Sequence, residues 1–137
     1  MVDKLIINSG EKRIQINDTD DYLVFNPNDV VFVERFYKMI TEFETKLKDY
    51  QAKGAELDKA TDVNELGIPV NVQERINFIH EACNFMYEQI DFLFGEGTSK
   101  MLFGETESLD MLEQFFSGLT PIIESYRKAN VKKYLKK

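Results

Sequence analysis

The chain has 137 residues, 43% hydrophobic and 30% charged, with one cysteine and a formal charge of −7. That length fits one domain able to bury a core without disulfide or metal, and no stretch approaches the ~20 apolar residues of a membrane span. Eleven Lys and Arg against 24 acidic residues leave residues 1–126 at −13, while Arg127, Lys128, Lys132, Lys133, Lys136 and Lys137 make residues 127–137 +6. A body this acidic should repel a phosphate backbone, which argues against nucleic acid as a partner. The basic tail suits the negative end of a helix dipole and reads first as a solvated helix end. The lone Cys83 cannot form an internal disulfide, and no long apolar run follows Met1-Val2-Asp3-Lys4, so a reducing, cytoplasmic setting is expected.

Residues 1–25 read as a β-hairpin region. Leu5-Ile6-Ile7 and Ile14-Gln15-Ile16 are short strand candidates around Asn8-Ser9-Gly10-Glu11-Lys12, which carries a turn signal. Asp18-Thr19-Asp20-Asp21 is a polar turn, and Tyr22-Leu23-Val24-Phe25 is a third candidate strand. Residues 26–137 read as a helical bundle. Asn26 is a good N-cap, Pro27 suits the first helical position, and Asp29 in the first turn favours the dipole. The seam Val33, Phe36, Ile40, Phe43, Leu47, Tyr50 has coiled-coil-like spacing and predicts a helix to about residue 60, weakened at Gly54. Residues 61–71 read as a connector.

The second helix is the most apolar. Its seam is Val72, Ile76, Ile79, Cys83, Met86, Ile90, Leu93, and a second stripe holds Phe78, Phe85 and Phe92. Glu74, Glu81 and Glu88 should mark its solvent side. Two apolar stripes imply contact on two sides, so this helix should be central, and Gly95 and Gly97 should end it. A short turn or helix around Met101-Leu102-Phe103 follows. Ser108 can cap a third long helix with seam Leu109, Leu112, Phe116, Leu119, Ile123, Tyr126, in which Pro121 should cause a kink near Ser117-Gly118. The expected class is mainly α: one domain, a three-helix antiparallel bundle with a small N-terminal β-hairpin.

No residue set reads as a catalytic, cofactor-binding or metal site. His80 and Cys83 share a spacing of three, but two ligands fall short of the three that zinc usually takes from the protein. A di-iron Glu-x-x-His pair fails because Asn77 stands three before His80. Asp18-Thr19-Asp20 begins like a calcium loop, but Leu23 stands where Gly is needed and Asp29 where Glu is needed. Gly95-Glu96-Gly97-Thr98-Ser99-Lys100 lacks the phosphate-loop spacing and reads as a helix stop with Thr98 as a new cap. There is no GxSxG and no Cys/His arrangement suited to nucleophilic catalysis. The expectation is a non-enzyme without cofactor.

Tyr22-Leu23-Val24-Phe25-Asn26-Pro27-Asn28-Asp29-Val30, Ile90-Asp91-Phe92-Leu93-Phe94-Gly95-Glu96-Gly97-Thr98 and Phe115 through Tyr126 together resemble small tail assembly chaperones of long-tailed bacteriophages and prophages. The resemblance runs from about residue 4 to 130, on motifs that mark caps and turns. It implies a protein of the bacterial host cytoplasm that coats the apolar, helical tape measure protein, helps gather tail tube subunits, and is then displaced. It fixes no binding residues. The expected partners are therefore a protein client and further copies of the same chain, with neither nucleic acid nor membrane. The alternatives are a structural phage or prophage protein retained in the particle, or a small helical adaptor.

Overall fold

A computed structural model describes residues 2–58 and 63–135. In chain order it holds β1 (Lys12–Gln15), β2 (Tyr22–Phe25), α1 (Val30–Asp58), α2 (Val72–Phe94), α3 (Thr98–Phe103) and α4 (Leu109–Leu135). The mainly helical class with a small N-terminal hairpin is as the sequence predicts.

The hairpin forms around the later turn. β1 and β2 pair antiparallel in the register Lys12↔Phe25 to Gln15↔Tyr22. Thr19 organises the loop between them: its hydroxyl donates to the Ile16 carbonyl at 2.7 Å and accepts the Asp21 N–H at 3.2 Å. Asn17 takes a positive φ of 53°, which its short polar side chain tolerates. Leu23 and Phe25 point into the core, while Tyr22 and Val24 face outward. The strand expected at Leu5-Ile6-Ile7 does not form, and all three side chains are exposed. The reason is local. Asn8 folds its side-chain oxygen onto the Gly10 N–H at 3.0 Å, and the Asn28 amide donates to the Ser9 carbonyl at 3.3 Å. The chain is thereby held beside the β2–α1 connection instead of turning back along β1.

α1 begins three residues later than a cap at Asn26 would place it. Asn26-Pro27-Asn28-Asp29 forms a turn, closed by the Asp29 N–H on the Asn26 carbonyl at 3.1 Å and the Asn28 N–H on the Asn26 side chain at 2.9 Å. Asp29 is the cap: its carboxylate accepts the Val31 N–H at 3.0 Å and its carbonyl the Val33 N–H at 3.1 Å. The most buried line is Phe32, Phe36, Met39 and Phe43, with Val33, Ile40 and Leu47 packed beside it. Helix α1 ends at Asp58, and the rest of the helix expected to residue 60 lies outside the described residues.

On α2, Ala82, Cys83, Met86 and Ile90 are buried and Glu74, Glu81 and Glu88 are exposed. The phenylalanine stripe meets α1. Phe78 packs on Tyr50 with centroids 5.6 Å apart, the Lys46 ammonium lies 4.7 Å from the Phe85 ring centre, and the Arg35 guanidinium lies 5.2 Å from that of Phe92. These cations shield aromatic surface that the core does not cover. Gly95 ends α2 at φ 119°. The next helix takes its cap from a distance: the Asp91 carboxylate accepts the Ser99 N–H at 2.7 Å and the Ser99 hydroxyl at 3.0 Å. Thr98, expected as that cap, instead donates its hydroxyl to the Gly95 carbonyl at 2.7 Å. Ser108 does cap α4, accepting the Met111 N–H at 3.2 Å. Helix α4 then runs as one element through Pro121.

Contacts define the chain directions. Along α1 and α4 they run in opposite order, Phe43 meeting Phe116 and Tyr37 donating its hydroxyl to Glu124. Along α1 and α2 they also oppose, Phe32 meeting Phe94 and Tyr50 meeting Phe78. Along α2 and α4 they run in the same order, from His80–Glu107 to Phe94–Phe115. The return is made by α3 and residues 104–108, where Phe103 stacks on Tyr87 at 4.8 Å. The bundle is thus antiparallel at both α1 contacts and codirectional between α2 and α4. All elements share one core, to which β2 contributes Leu23 and Phe25.

Candidate protein-binding surfaces

His80 and Cys83, adjacent on α2, point to different environments. The His80 ring is largely exposed, and its Nδ1 lies 2.6 and 2.7 Å from the two carboxylate oxygens of Glu107. Cys83 is fully buried. Burial pushes its thiol up to about 11, the Glu107 carboxylate adds to the rise, and hydrogen bonding with Tyr87 opposes it. The Tyr87 hydroxyl is also raised, first by burial; it donates to the Thr106 carbonyl at 2.7 Å. Such a thiol stays protonated at neutral pH and is a poor nucleophile. Among the described residues, no three His, Cys, Asp or Glu side chains gather to hold a metal ion. Asp18 and Asp20 lie in the hairpin loop, and Gly95 to Lys100 spans the stop of α2 and the start of α3. Among the described residues, no helix is long and apolar enough to cross a membrane.

The surface instead offers apolar features. The first is the connector before α2 with the opening turns of α2. Val63, Leu66, Ile68, Val70, Val72 and Ile76 are all exposed, Leu66 at 83% and Ile76 at 50%. The connector is shaped by Asn64, whose side chain accepts the N–H groups of Leu66 and Ile68 at 2.9 and 3.0 Å, and by a bridge between Val63 and Pro69. Glu65 and Glu74 are exposed beside these side chains. By sequence, residues 61–71 read as a connector and Val72 and Ile76 as the first seam positions of the second helix, whereas here all of these apolar side chains face outward. The available signal was the density of Val, Leu and Ile between turn residues, which a solvated loop does not need.

The second feature is an open groove of about 370 Å³ between the loop end of β1 and the flank of α4. Ile14, Ile16, Met111, Phe115 and Ile122 line it with Gln15, Asn17 and Gln114, and none of its lining residues is charged. Gly118 belongs to its wall, and a Cβ there would meet only open space. Of the six basic tail residues, Arg127 lies 3.8 Å from the Glu124 carboxylate and 5.9 Å from the centre of the Tyr37 ring, while Lys136 and Lys137 lie outside the described residues.

A family model described as a family of unknown function, DUF6673, matches residues 19–137, so the chain belongs to that family. No curated protein and no solved structure matches it.

Proposed function

We propose that this member of the DUF6673 family is a tail-assembly-chaperone-like protein of a long-tailed bacteriophage or prophage, acting in the host cytoplasm without catalysis or cofactor. Its client is the apolar, helical tape measure protein, with the tail tube subunit as a second partner. The observation that carries this reading is the exposed apolar surface of residues 63–76 at the edge of an acidic body. Contiguous exposed apolar surface of this kind marks interaction sites, and an amphipathic helix laying its apolar face on such a surface is a recurrent recognition mode. The net negative charge keeps a complex with an apolar client in solution and weakens binding to nucleic acid. A buried, protonated thiol suits a reducing compartment.

The test is co-expression with the tape measure protein of the same gene cluster. The chain should raise client solubility and co-purify with it. Leu66→Asp combined with Ile76→Asp changes only exposed positions and should abolish both effects while the melting temperature holds. No gain in client solubility from the unaltered chain would overturn the proposal.

A further inference from the structure

From the N-terminal arm and the β1 groove together we infer that copies of this chain associate by arm exchange: residues 2–8 of one copy lie as an added strand along β1 of another, with Leu5 and Ile7, which share one strand face, against the groove. Three observations converge. The arm is apolar yet wholly uncovered, with Val2, Leu5, Ile6 and Ile7 between 76 and 93% exposed. Leu-Ile-Ile is a sequence built for a strand, and a strand needs a partner edge. That edge exists on β1. In the observed register, with Ile16 N–H on the Asp21 carbonyl at 2.9 Å, Ile14 and Lys12 turn their backbone groups toward β2. Arg13 and Gln15 therefore direct theirs outward. An open edge on a two-stranded sheet is a ready template for strand addition.

The groove beside that edge matches the arm chemically. It has no charged lining, as the insertion of Leu5 and Ile7 requires. A like-charged copy of a −7 chain meets no charged residue there.

The arm does not reach its own groove. Residues 9 and 10 are pinned beside Asn28: Ser9 accepts its amide, and a Cβ on Gly10 would stand 2.0 Å from the Asn28 Nδ2. The anchor thus lies by the Lys12–Phe25 end of the hairpin, while the groove lies at the opposite, loop end of β1, and the arm's side chains are exposed instead of seated in it. Beyond that anchor, the seven residues 2–8, if extended, reach roughly 25 Å, enough to cross to a neighbour. Exchange of an identical segment between copies is a low-cost route to an assembly. This inference does not depend on the client reading, which uses residues 63–76.

The experiment compares the full chain with one lacking residues 2–8, by light scattering after size exclusion. The full chain should show at least twice the 16.0 kDa mass of one copy, and the shortened chain one copy, with unchanged circular dichroism. In parallel, a chain carrying Ile7→Cys is mixed with one carrying Gln114→Cys, both in a Cys83→Ala background, and oxidised. A linked pair from the mixture is expected. A monomeric full chain, equal masses with and without the arm, or a mixture that yields no linked pair would overturn the proposal.

Discussion

Cys83 shows how one buried side chain carries a pH dependence. It sits at zero exposure in α2, and its thiol is held at about 11 by burial and by the Glu107 carboxylate. An unfolded thiol titrates near ~8.5. Because the folded value is the higher one, the fold favours the protonated thiol. Its stabilisation is fully present below about pH 8.5 and is lost as pH rises toward 11. Denaturant midpoints should therefore fall between those limits, and Cys83→Ala should flatten that fall. A thiol-exchange reagent at pH 8 should label Cys83 no faster than the protein unfolds. Rapid labelling of the native chain would contradict the burial. Asp91 works by a different route: it takes two hydrogen bonds from Ser99, fixing α3 against the end of α2.

At the scale of elements, a helix interior without a packing need for glycine should gain from alanine. Gly54 lies within α1, and a Cβ there meets nothing within 4 Å. Gly54→Ala should raise stability by about 0.5–1 kcal/mol, read as a higher urea midpoint at constant slope. The helical periods were legible in sequence because burial follows them: Phe36, Phe43, Cys83, Met86, Ile90, Leu112, Phe116 and Ile123 lie on the predicted seams and are buried. The failures have physical causes as well. Phe32 and Met39 are buried because the hairpin and α2 rotate the core line of α1 toward them, a tertiary choice the period alone leaves open. Leu5-Ile6-Ile7 has strand propensity, but Asn28, nineteen residues after Ser9, decides where residue 9 lies. Likewise His80 meets Glu107, and Ser99 meets Asp91, through the reversal at α3, which composition could not specify. The groove was illegible for the same reason, since it joins β1 to α4 across most of the chain.

At the scale of the molecule, the hairpin and the helices should behave as one cooperative unit. Leu23 and Phe25 of β2 belong to the same buried cluster as Phe36, Ile90, Phe103 and Ile123, one from each helix. Phe25 stacks on Phe32 at 5.6 Å and meets Tyr126 at 6.4 Å, so it ties the hairpin to both α1 and α4. A two-stranded hairpin has little stability alone, and it should therefore open only when the bundle opens. Native-state hydrogen exchange tests this directly. The Leu23 amide, bonded across the hairpin, and the Ile90 amide, inside α2, should report the same opening free energy in moderate denaturant. Leu23→Ala leaves a cavity at the junction and should lower both values together by about 2–5 kcal/mol. If Leu23 exchanges through a much cheaper opening while Ile90 stays protected, the hairpin is a separate unit docked on an independently stable bundle, and the shared core does not couple them.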